Sequence, residues 1–265
     1  MYEWMSITKA ALGTLFYITG KDYSPQTKDI LMGTTQKSDD DDKGPFQFDY
    51  KHFREVVERD NGEESLQEYA EKTFASIPVD ATKENTFVYN NIGWQVIAAE
   101  LNNCQSEFAE LLGTRRGWTW ETVDGICLGP HGIKSTLAVA YRFGQNALPH
   151  LRAMSKLPKT PVPPNTWGMS ATHYSYGWWW VNQELVYAHG YQAQFIVVNL
   201  KTGQVDVQLR DKFWTAPTEL EAQFVQQHVC ATCKTGNVAY RCKYCFIKTY
   251  CNSKCALRNP CNCLM

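Results

Sequence analysis

The sequence predicts an α+β fold: a body of mixed helices and antiparallel strands over residues 1–227, then a small cysteine-rich module over 228–265. Three observations carry this. Helical spacing of apolar residues recurs through the first 157 residues. Strand-like stretches follow over 174–209. Eight of the ten cysteines fall between Cys230 and Cys263.

The bulk properties agree. A chain of 265 residues suits one large domain or two small ones. Hydrophobic residues make up 44% and aromatics 13%, enough for a sizeable core and too many aromatics for general disorder. The formal net charge of −1 excludes a chain that is basic overall. Charge is unevenly spread: residues 228–265 hold six basic residues and no acid, which leaves the body with a net of −7. Residues 1–20 lack a basic n-region and Lys9 interrupts their apolar run, so a signal peptide is not expected. No stretch approaches the roughly 20 apolar residues that span a bilayer. The expectation is an intracellular protein, nuclear or cytoplasmic.

Element by element, Ile7, Ala11, Leu15 and Ile18 share one helical face. Residues 33–45 (GTTQKSDDDDKGP) read as a solvated acidic loop, because four consecutive aspartates repel one another. Its DDDDK string is either native or an inserted protease tag. Residues 47–59 and 64–76 read as helices, the second with Leu66, Tyr69, Ala70 and Phe74 on one face. A strand over 86–90, a long helix over 92–113 and a strand over 117–128 follow. Residues 135–143 and 146–157 read as two helices, the second compatible with Pro149 only in its first turn. The four prolines of 157–165 predict an extended strap. Long strands are expected over 174–187 and 192–200, and a hairpin over 198–209, where Val205, Val207 and Leu209 alternate with polar residues. Thr218 and Glu221 form a capping box opening a helix to Gln227.

The tail has the spacing C-x2-C-x8-C-x2-C-x5-C-x3-C-x5-C-x-C. A C-x2-C knuckle brings two thiolates to one tetrahedral zinc, and eight cysteines match two four-ligand structural sites. The run CATCKTGNVAYRCKYCFIKTYCNSKC, with its Arg241–Cys245 and Tyr250–Cys255 steps, resembles the MYND zinc finger and the related HIT finger. The resemblance implies a first zinc on Cys230, Cys233, Cys251 and Cys255, and a second begun by Cys242 and Cys245. The family ends in His-x3-Cys; here Cys261 and Cys263 take that place, the alternatives being His228 as a ligand or one terminal cysteine left free. It also implies binding of a protein partner, often a proline-containing peptide. A small body with a C-terminal cysteine tail is similar, too, to the third non-structural protein of insect densoviruses, which implies an accessory role in viral DNA replication.

Elsewhere the motifs are sparse. Cys127-Leu-Gly-Pro-His131 invites a thiol-nucleophile reading, against which stands an inert core cysteine. GPHGIKST (129–136) lacks the G-x4-G-K-[ST] of a phosphate loop and reads as a turn before a helix. Trp178, Trp179 and Trp180 would face alternately, one face core and the other half-covered, or else form a stacking platform. The functional expectation is therefore a non-enzymatic, zinc-dependent regulatory adaptor acting through its tail. The alternatives are a nucleic-acid-binding replication or transcription factor, and a cysteine hydrolase centred on Cys127.

Overall fold

A strand and a helix open the chain: β1 (Tyr2–Glu3), then α1 (Ile7–Thr19), which ends where Gly20 takes a left-handed conformation. The computed structural model describes residues 1–39, 53, 55, 64–101, 103–164, 166, 170–191 and 193–210, with two short strands at 240–241 and 249–250. Within them the α+β expectation holds: a three-stranded and a six-stranded antiparallel sheet are packed with helices. The expected helix over 218–227 and all eight tail cysteines lie outside the described residues, as does most of the helix expected over 47–59. From the tail, β12 (Tyr240–Arg241) pairs antiparallel with β13 (Thr249–Tyr250).

Most of the described helices form where expected, with differences at their boundaries; α2 (Pro25–Met32), next in the chain, has no counterpart among the expected elements. Helix α2 is capped by Ser24 and helix α3 (Leu66–Ser76) by a Ser65–Glu68 capping box, each satisfying main-chain N–H groups of the first turn. The single helix expected over 92–113 is two, α4 (Ile92–Ala98) and α5 (Cys104–Leu112). The chain leaves helical geometry before Asn103, whose φ of −140° starts α5 afresh. Conversely, the two helices expected over 135–157 are one, α6 (Leu137–Met154), with Pro149 in its interior. A proline there removes one N–H donor and opposes the preceding turn. The buried face Phe143, Ala147, Leu151 and Met154 holds the helix together across it, packed on the large sheet.

The small sheet has strand order β1–β5–β2, with β2 at Trp118–Trp120 and β5 at Ile133–Ser135. The strand expected over 117–128 is broken: β3 (Thr122–Val123) turns at Asp124–Gly125 onto β4 (Ile126–Cys127). The large sheet runs β11–β10–β9–β8–β7–β6, antiparallel throughout. Its strands are β6 (Thr160–Pro161), β7 (His173–Ser175), β8 (Trp178–Trp180), β9 (Leu185–Gly190), β10 (Gln194–Asn199) and β11 (Val205–Gln208). The proline strap thus supplies an edge strand, the place in a sheet that tolerates proline. Residues 174–187 make parts of three strands, and 86–90 are extended but bonded singly, Phe87 N to Pro161 O and Val88 N to Gly33 O.

Both faces of the tryptophan strand are covered. Trp178, Trp179 and Trp180 are all buried, so no stacking platform is exposed. Trp178 donates its indole N–H to Thr14 on α1 (3.0 Å), which clamps that helix to the sheet. The clamp is tight: a Cβ on Gly13 would stand 2.1 Å from the Tyr176 carbonyl oxygen. Trp4 fills the seam between the two sheets, against Phe108 and Phe143, with its N–H on Ser135 Oγ (2.8 Å). Removing one of these buried rings would cost about 3–5 kcal/mol.

Candidate active site

The seam brings together residues that are distant in sequence. Ser6 stands at the N-terminal end of α1, half-buried, directly after Met5. Met5 has φ +51°, a left-handed conformation uncommon for a side-chain-bearing residue and often found where a functional group is held. One turn into the helix, Lys9 is 1% exposed. An amine buried so deeply requires hydrogen-bond partners. Its Nζ lies 2.9 Å from Ser6 Oγ, 3.0 Å from Tyr89 Oη, 2.9 Å from Asn91 Oδ1 and 3.1 Å from the Pro130 carbonyl oxygen. Tyr89 donates its hydroxyl to Ser6 Oγ at 2.8 Å. Serine, lysine and tyrosine therefore form a closed triangle.

The partners of Lys9 differ in kind. Asn91 Oδ1 and the Pro130 carbonyl carry no proton, so each must receive one of the lysine N–H groups. The valence left on Nζ points at Ser6 and Tyr89. Lysine is thereby aimed: two positions are anchored on fixed acceptors and the third serves the two hydroxyls.

Each anchor is positioned by its surroundings. Asn91 immediately precedes α4, and buried Asp39 accepts from its main-chain N–H (2.8 and 2.7 Å), from its Nδ2 (3.3 Å) and from the Ile92 N–H (2.7 Å). The loop 33–45 is thus not solvated throughout: Asp39, first of its four aspartates, is fully buried. Pro130 follows a segment tied down on several sides. Gln95 donates to Cys127 O (3.3 Å) and accepts from Gly129 N (3.0 Å), and the Trp120 indole donates to Leu128 O (2.9 Å). A Cβ on Gly129 would meet the Trp94 carbonyl oxygen at 2.0 Å, so only glycine allows this approach. On the far side, Gly190 at the end of β9 packs on Trp4 O and Met5, beside the serine.

None of these residues is among the sites expected from sequence. Ser6-Ile-Thr-Lys9 is an S-x-x-K step at the start of a helix, and Tyr89-Asn-Asn91 lies in the extended stretch at 86–90. Sequence reasoning misses the first because Lys9 reads only as a charge interrupting an apolar run. The signal was its three-residue spacing from Ser6 on an otherwise apolar helix face. Cys127 is buried, as an inert core cysteine would be, and is bonded to Cys104 in a disulfide, so its sulfur is not a free nucleophile. His131 packs edge-on against Phe53, and His189 stacks on Phe195. The zinc ligands expected at Cys230, Cys233, Cys242, Cys245, Cys251, Cys255, Cys261 and Cys263, and the alternative His228, lie outside the described residues. Among the described residues no cluster of three metal-ligating side chains occurs, and no helix is long and apolar enough to cross a membrane.

No family model and no curated protein matches the chain. Solved structures do match in fold. A Bacillus anthracis protein described as a 6-aminohexanoate-dimer hydrolase superposes with a TM-score of 0.55 at 14% identity, over 83% of this chain and 69% of that one. A Mycobacterium bovis β-lactamase gives 0.50 at 12% identity, over 83% of both chains. At such identities the likeness is one of fold. It overturns the expectation of a non-enzymatic zinc adaptor, and with it the viral-accessory and nucleic-acid alternatives. Both of these structures are described as hydrolases, and each shares its fold with 83% of this chain. The cysteine-hydrolase alternative falls to the Cys104–Cys127 bond.

Proposed function

We propose that the protein is a serine hydrolase that cleaves an ester or amide through an acyl-enzyme on Ser6. One observation carries this reading: a lysine buried to 1% exposure and a tyrosine hydroxyl both lie within 3 Å of a half-buried serine oxygen. S-x-x-K places nucleophile and amine on one face of a single helical turn, the arrangement used by serine β-lactamases and penicillin-binding proteins.

In this reading Ser6 Oγ attacks the carbonyl carbon while its proton passes into the Lys9–Tyr89 pair. With two positions of Nζ held by Asn91 and Pro130, an unprotonated Lys9 directs its lone pair at the hydroxyls. The carbonyl π electrons move to oxygen, and collapse of the tetrahedral species breaks the bond to the leaving group. Tyr89, in contact with both Ser6 and Lys9, returns the proton to the departing oxygen or nitrogen. Water then repeats the sequence on the acyl-serine and regenerates Ser6. The developing oxyanion needs N–H donors.

A fluorophosphonate probe tests the assignment. It labels the wild-type chain on the tryptic peptide containing Ser6 and leaves Ser6→Ala unlabelled. A folded wild-type chain that neither takes the label nor hydrolyses p-nitrophenyl butyrate rules the reading out. For the tail, we propose two structural zincs on the eight cysteines, which would supply folding free energy to a segment too short for a core of its own. Elemental analysis of the full chain reads this directly, with two zincs per chain expected.

A further inference from the structure

We propose that Asp39 is a positioning residue that fixes which side of the Asn91 amide meets Lys9. The proposal rests on the Ser6–Lys9–Tyr89 reading and deepens it. An asparagine amide has an acceptor end and a donor end of nearly the same shape, and its neighbours decide which way it faces. Lys9 requires the oxygen, because Nζ offers N–H groups at this site. A flipped Asn91 would set N–H against N–H and free one of the two anchors that aim the lysine.

Asp39 removes that freedom. An ionised carboxylate only accepts. It takes the Asn91 Nδ2 group at 3.3 Å, so the oxygen is left facing Lys9 at 2.9 Å. The same carboxylate takes the main-chain N–H groups of Asn91 and Ile92 at 2.7–2.8 Å, which fixes where the Asn91 side chain starts. Asp39 is fully buried. Leaving a carboxylate there is costly unless its oxygens are satisfied, and these donors satisfy them. A neutral amide at position 39 could meet the main-chain donors equally well. What it lacks is the acceptor-only character that orders the Asn91 flip. The chain from Asp39 through Asn91 and Lys9 to Ser6 spans three contacts.

A double-mutant cycle on the full-length protein tests this, with p-nitrophenyl butyrate as substrate and active sites titrated by fluorophosphonate. Asp39→Asn is expected to lower kcat per titrated site by roughly tenfold, with KM within about twofold of wild type. Asn91→Ala lowers kcat as well. In the Asn91→Ala background Asp39→Asn brings no further loss, because the group it orients is gone. Equal losses in both backgrounds, or an unchanged kcat per titrated site, overturn the proposal and leave Asp39 a structural acid. Should Asp39→Asn fail to fold, the reversed pair Asp39→Asn with Asn91→Asp restores the donor and acceptor order. Recovered turnover there supports the proposal, and a folded but inactive pair overturns it. Ser6→Ala separates the two readings: turnover that survives it removes the nucleophile assignment and this proposal together, whereas an additive cycle on Ser6-dependent turnover removes the role of Asp39 alone.

Discussion

Two pairs in this molecule, each a nucleophile-type side chain with a potential base within five residues, invite comparison. Cys127 and His131 sit on a strand end and the loop after it; Ser6 and Lys9 sit on one helical turn. By residue type the first pair is the more reactive. Structurally it is spent: the sulfur is bonded to Cys104 and the imidazole packs on Phe53. The second pair, less conspicuous in sequence, is aligned by the helix, buried on the lysine side and reachable on the serine side. Residue chemistry proposes a nucleophile, and the geometry around it decides whether it acts. Part of the Cys127 segment still contributes, because the Pro130 carbonyl that anchors Lys9 follows it.

The contrast can be broken or sharpened in order of expected effect. Ser6→Ala should lower hydrolysis of p-nitrophenyl butyrate by about a thousandfold or more, while Cys127→Ser keeps Ser6-dependent turnover; steady-state rates on the two purified variants decide between them. Lys9→Met removes the aimed amine and should lower kcat by about 10²–10⁴-fold. Tyr89→Phe removes one proton-carrying group yet leaves the ring in place, with a loss of about 10²-fold in kcat. Replacing both Cys104 and Cys127 by alanine should barely change kcat at 25 °C. It opens a loop of sequence separation 23, however, and should cost about 3 kcal/mol of stability, read as a lower urea midpoint. A double alanine variant as inactive as Ser6→Ala would return the disulfide region to the centre of the site.

What the sequence discloses follows from how local each feature is. Helix α1, the Leu66-to-Phe74 face of α3 and the β10–β11 hairpin are periodic patterns confined to a few turns, and they form where the pattern lies. The splitting of 174–187 is less legible. It depends on Tyr176 and Gly177 taking positive φ between β7 and β8, and on Asn182 accepting from two main-chain N–H groups before β9. Pro149 inside α6 reads as a boundary because the packing that overrides it is tertiary. In the site, Ser6 and Lys9 are within reach of a motif search. Tyr89 and Asn91 are not, since only the folded seam brings them to the lysine. Asp39 is the least legible of all: within a run of aspartates it carries the signature of solvent exposure, and the fold buries it beneath α4.

The sequence separations within the triangle have a bearing on biosynthesis. Ser6 leaves the ribosome long before its partners: Tyr89 lies 80 positions beyond Lys9, Asn91 82 and Pro130 121. Contacts that close loops of this size form late in folding. During translation the chain therefore carries an unactivated serine at the start of an ordinary helix, harmless to neighbouring acyl groups. On the serine-hydrolase reading, reactivity belongs only to the finished fold. A nascent chain halted before residue 130 should resist fluorophosphonate, and the released protein should take it up.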